Sequence, residues 1–182
     1  GIGGMRYGIG IVCCTLLLPA CTALRPGERT TTEAGEPAVT ASVRPASGSR
    51  TNGTVIFTQV RSRVRVDAQF SSLTPGLHGF HIHEKGDCSA PDAMSAGGHF
   101  NPYGKQHGAP DAADSHSGDL GNLTADASGT ATLTLWLDGI SVSTGTDGVI
   151  GRAVIVHAGP DDLKTDPTGN SGGRVACGVI KL

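Results

Sequence analysis

The sequence predicts an all-β domain, an antiparallel sandwich or barrel of about seven or eight strands. Three observations predict it. Short stretches alternate apolar and polar residues with period two, as half-buried strands do. Gly (28) and Pro (10) are abundant in the 182 residues, and both cost helix stability. Turn signals recur between the alternating stretches, and no segment shows convincing amphipathic helical spacing.

The strands read in order. Residues 38–43 alternate, and 54–60 repeat the pattern with Val, Ile, Phe and Thr. Residues 64–68 alternate cleanly over five positions. Turn-rich stretches at 45–53 and 74–76 separate them. Residues 77–84, 129–137, 149–157 and 174–182 complete the set. Two stretches break the spacing, a long one at 85–117 rich in Gly, Pro, Asp and His, and a shorter one at 159–173. Loops of this length in a small domain are usually functional or disordered.

Length allows one ordinary domain. A charged fraction of 16% with net charge −2 excludes a coiled coil and a charge-driven disordered chain. No basic stripe is present, which argues against a nucleic-acid partner.

The front of the chain reads as an export signal. Met5-Arg6 precedes an apolar run over residues 7–18, too short to span a bilayer comfortably, and Leu18-Pro19-Ala20-Cys21 follows. That ending resembles a bacterial lipobox, with Cys21 as the lipidated first residue of the mature chain. The alternative is ordinary signal cleavage without lipid. Residues 1–21 are therefore read as a signal peptide of lipoprotein type, 22–37 as a flexible polar tether, and 38–182 as the folded domain. The expected location is the periplasmic side of a bacterial cell envelope, on a membrane anchor. Two cysteines, Cys88 and Cys177, remain in the domain. In an oxidising compartment they are expected to pair; the alternative is two separate buried thiols. Closing a loop of that length stabilises by about 4–5 kcal/mol in a chain-entropy description.

The histidines separate a functional loop from a merely mobile one. Six of the seven (His78, His81, His83, His99, His107 and His116) fall in one window, and His157 ends an apolar strand. Period two puts His81 and His83 on one face. Asp119 follows His116 by three residues. A lone strand histidine is more often packing or surface, but seven so placed suit copper or zinc. The chain has too few domain cysteines for a four-cysteine zinc site.

These residues carry a resemblance. GLHGFHIHE at 76–84, SAGGHFNP at 95–102, HGAP at 107–110, HSGDLGN at 116–122, IGRAVIVH at 150–157 and TGNSGGRVACGVI at 168–180 are similar to the copper,zinc superoxide dismutase family, in its exported bacterial form. The resemblance implies a Greek-key β-sandwich or flattened barrel of about eight strands with two long functional loops. It implies one copper and one zinc per subunit. The copper ligands would be His81, His83, His99 and His157. The zinc ligands would be His99, His107, His116 and Asp119, with His99 bridging the two metals. Asp161 would bond His81 and His107; taken alone it reads as a turn-forming surface aspartate. Arg174 would attract the anion beside copper; taken alone it is a surface arginine next to a disulfide. His78 reads as structural. The 159–173 loop is shorter than its counterpart in animal enzymes, and Lys164 or Lys105 would stand in for the missing steering charges.

The implied activity is disproportionation of superoxide to dioxygen and hydrogen peroxide, with His99 and Arg174 in the catalytic roles. The alternative is an exported copper and zinc store or carrier on the same fold. A zinc hydrolase is disfavoured, because only Glu84 offers a general base. A homodimer is one assembly that the family admits.

Overall fold

The computed structural model describes residues 2–4, 35–110 and 112–182. Cys21, and all but the edges of the expected signal and tether, lie outside the described residues. The folded unit is Gly35–Leu182.

Eight strands form it: β1 (Ala38–Pro45), β2 (Asn52–Val60), β3 (Arg63–Ser71), β4 (Gly76–His83), β5 (Asp119–Ala125), β6 (Ala131–Leu137), β7 (Ala153–His157) and β8 (Arg174–Lys181). Every neighbouring pair is antiparallel, in the order β5-β4-β7-β8-β1-β2-β3-β6. β1, β2 and β3 run as a meander, while β3–β6, β4–β7 and β8–β1 pair across the sequence. The sheet curls into a nearly closed barrel whose edge strands β5 and β6 lie beside each other.

Burial follows the alternation read from the sequence. Val39, Ala41 and Val43 of β1, Val55 and Phe57 of β2, and Val64, Val66, Ala68 and Phe70 of β3 point into one core. Phe70 meets Phe80 edge to face at 5.7 Å between ring centroids.

Two differences from the sequence reading have physical causes. β5 was not anticipated. Its buried Leu120 and Leu123 are three residues apart, because the register shifts between Gly79 and His81 of the partner strand, and the period-two pattern is lost. The strand expected at 149–157 begins only at Ala153. Gly151 takes φ +83°, and Arg152 N–H closes a turn onto the Val149 carbonyl. Among its described residues the long 85–117 loop contains no strand, only a short 3-10 turn at Met94–Ala96.

The Cys88–Cys177 disulfide closes this loop onto β8. Around it Ala46, Ala93, Ala96, Ala153 and Ile155 form a second, smaller apolar cluster. The pairing thus packs the loop against the outer face of β7 and β8, next to the histidine-bearing strand ends.

Candidate metal centre

Strand pleating builds the floor of the site. In β4, Phe80 and Ile82 enter the core, so His81 and His83 must face the opposite side. That side is roofed by the long loop. Phe100 N–H donates to the Ile82 carbonyl, Ile82 N–H to Gly118, and His83 bridges to His99. In β7, Val154 and Val156 enter the core, and a register shift beside Val156 sets His157 opposite Arg174 of β8. His81, His83, His99, His107, His116, Asp119, His157 and Asp161 are all buried.

These side chains make two adjoining nests. The first is His81, His83, His99 and His157, with ligand atoms within 4.8 Å of one another. Each ring is oriented by its other nitrogen. His81 Nε2 lies 2.7 Å from Asp161 Oδ2 and His99 Nδ1 2.9 Å from Asp119 Oδ1. His83 Nδ1 lies 2.9 Å from the Gly97 carbonyl and His157 Nδ1 3.0 Å from that of Gly172. The inward nitrogens, His81 Nδ1, His83 Nε2, His99 Nε2 and His157 Nε2, are the buried side-chain polar atoms without a hydrogen-bond partner among the described residues. Four unpaired buried nitrogens facing one point would be costly without an occupant. An all-imidazole set of this kind fits copper.

The second nest is His99, His107, His116 and Asp119. Asp119 Oδ1 lies 2.9, 3.0 and 3.3 Å from the Nδ1 atoms of His99, His107 and His116, and the last lies 3.3 Å from His99 Nδ1. One carboxylate oxygen cannot accept three good hydrogen bonds with two lone pairs. The four atoms instead lie close enough to share one ion, since tetrahedral bonds of about 2.0–2.1 Å give edges of about 3.3 Å. Asp119 Oδ2 is held separately by the backbone N–H groups of Gly108 (3.0 Å) and His116 (2.9 Å). Three imidazoles and one carboxylate fit zinc. His99 belongs to both nests, with Nδ1 in the second and Nε2 in the first.

The electrostatics suit metal ligands. Burial pushes His99 down to about 4 and His157 down to about 3, and holds His83 well below the ordinary value. Such rings are neutral at pH 7, with lone pairs free to ligate. Burial would raise the Asp119 carboxyl, but hydrogen bonds from His116 and His99 outweigh it and hold the group in its charged form.

Asp161 ties the nests together. Its Oδ2 pairs with His81 and its Oδ1 with His107 Nε2 at 2.8 Å. Its backbone is clamped in turn by Asn122. Asp161 N–H donates to Asn122 Oδ1 (2.8 Å) and Asn122 Nδ2 donates to the Asp161 carbonyl (2.9 Å). The sequence alone assigns Asn122 no role, because a polar residue on a strand carries no local sign of such a bond. It assigns Gly169 none either. A Cβ there would strike Asp161 Oδ1 and come within 2.6 Å of His107 Nε2, and its φ is +62°.

Arg174 is held, not loose. Its Nη1 donates to the Ala93 carbonyl (2.8 Å) and its Nη2 to that of Gly97 (2.7 Å). Gly97 also receives His83, so one carbonyl couples the guanidinium to the first nest. Arg174 and His157 line an open cleft of about 280 Å³ together with Asp92, Met94 and Thr168. Lys164 and Lys105 do not line it. Lys105 lines a separate groove beside His116, and its Nζ donates to the Ala113 carbonyl. His78 is structural, with Nδ1 2.8 Å from the His157 carbonyl and Nε2 2.8 Å from that of Thr74.

The chain is similar to known proteins in sequence and in fold. A family model described as copper/zinc superoxide dismutase matches residues 51–180. A superoxide dismutase of the Cu-Zn type from Brassica juncea is 48% identical over 143 residues, which is 75% of this chain and 93% of that relative. A crystal structure of the clock protein EA4 superposes with a TM-score of 0.73 at 43% identity, covering 81% of this chain and 95% of that one.

Proposed function

The chain belongs to the copper/zinc superoxide dismutase family, and on that premise we propose that His81, His83, His99 and His157 hold copper while His99, His107, His116 and Asp119 hold zinc. One observation carries the assignment: four buried unpartnered ring nitrogens converge beside a second set of three imidazoles and a carboxylate, and His99 is common to both.

The reaction converts two superoxide anions and two protons to dioxygen and hydrogen peroxide. Bound copper supplies a one-electron couple between two oxidation states, and zinc supplies fixed positive charge without redox chemistry. The chain's residues do the rest. Arg174 attracts the anion and donates hydrogen bonds to it at the cleft floor, since its two carbonyl partners fix where the guanidinium points. His99 keeps Nδ1 toward Asp119 and so presents Nε2, the atom that takes up and gives back a proton during turnover. Asp161 keeps His81 and His107 in the tautomers that ligation needs. A store or carrier would need the nests but not a fixed arginine in an open cleft.

Export belongs to the same reading. Residues 1–21 act as a signal of lipoprotein type, Cys21 carries the lipid, and the domain works at the periplasmic face of a bacterial envelope. The Cys88–Cys177 disulfide supports an oxidising compartment. The intact mass of the mature chain tests the lipid.

The function is tested by loading the domain with copper and zinc, counting both, and assaying superoxide disproportionation with and without cyanide. One of each metal with fast, cyanide-sensitive turnover is expected. Full loading with negligible turnover would favour storage.

A further inference from the structure

The cleft that holds Arg174 also holds its electrostatic opposite. Of the side chains lining it, Arg174 and Asp92 carry full charges of opposite sign. Asp92 is one residue before Ala93, whose carbonyl receives Arg174 Nη1. Its charge favours the charged guanidinium, against the burial that disfavours it. It is also fixed in place. Asp92 Oδ1 accepts the Met94 backbone N–H at 3.0 Å, across an Ala93 that takes φ +59°.

Adjacent opposite charges present a dipole rather than a net charge. The field of such a pair fades faster with distance than that of a lone guanidinium. At contact, the Arg174 N–H groups still dominate for an ion small enough to avoid the carboxylate. An anion that is larger, or carries more charge, must lie against Asp92 as well.

Taking the dismutase reading as its basis, we propose that Asp92 is a specificity-determining residue of the cleft, one that lowers the capture rate for anions in general and excludes polyanions from Arg174. The likeness to the family assigns Asp92 no role.

Asp92→Asn tests this cleanly, because the amide oxygen can still accept the Met94 N–H, so the turn survives while the charge goes. At low ionic strength kcat/KM for superoxide rises about two- to fourfold, and the gain vanishes in high salt, as screening of a surface charge requires. Affinity for inorganic phosphate, measured by calorimetry on the same loaded protein and on the metal-free chain, rises about three- to tenfold. Asp92→Glu returns both values toward wild type. The proposal is overturned if Asp92→Asn changes neither value, or if a rate gain persists undiminished in high salt. A wild-type chain that binds both metals without turnover would refute the dismutase reading instead, and the phosphate affinities would then decide for or against Asp92.

Discussion

Single residues set the chemistry by what their second atom does. His81, His83 and His157 each spend one nitrogen on a protein acceptor and leave the other unpaired, while His99 turns Nδ1 into the second nest and leaves Nε2 for the first. Asp161 serves two rings at once, so Asp161→Ala should release His81 and His107 together. Metal affinity should fall about 10- to 100-fold, read by competition with a chelator; unchanged affinity would contradict its role. Arg174→Glu should retain both metals and lose about 10- to 100-fold in kcat/KM, the worth of a hydrogen bond to a charged group. Retained activity would remove Arg174 from the reaction. The ligands were legible because each is a chemically distinctive residue inside a long ordered motif. Asn122 was not, since an amide on a strand is ordinary until the chain folds it against a loop 39 residues away.

Elements convert those residues into a site. Period two in β4 alone dictates that Phe80 and Ile82 enter the core while His81 and His83 face the loops. This much was readable from the alternation. β5 was not, because its apolar residues follow a register shift that only pairing with β4 imposes. The loops depend on two local devices. Gly169 lies against the Asp161–His107 pair, so Gly169→Ala should displace that pair and lower zinc retention in a chelator challenge; full retention would show that the loop yields freely. The disulfide anchors the segment whose Ala93 and Gly97 carbonyls hold Arg174. Replacing both cysteines by serine should therefore cost about 2–5 kcal/mol in denaturant unfolding. Catalysis should fall further than metal content does, because the arginine loses its frame before the nests lose their ligands.

The Gly35–Leu182 unit is a barrel that buries a polar cluster on its outer wall, and that placement has a pH signature. In the metal-free chain His99 and His157 sit at about 4 and about 3, below the ordinary 6.5. Below pH 6.5 the unfolded chain therefore binds more protons than the native one. Stability present at neutral pH is lost as pH falls through the ordinary histidine range toward those lower values. The urea midpoint of the metal-free protein should be lower at pH 5 than at pH 7.5, and an equal midpoint would contradict the burial argument. At this scale the sequence conveyed the class and seven of the eight strands, since alternation and turns are local. It did not convey which strands meet at the barrel's seam, which depends on pairing across the chain. One histidine, His99, joins the two nests. The most direct test is equilibrium metal binding by single variants. His157→Ala should weaken copper alone, His116→Ala zinc alone, and His99→Ala both together. A His99→Ala protein that lost one metal and kept the other at wild-type affinity would contradict the account.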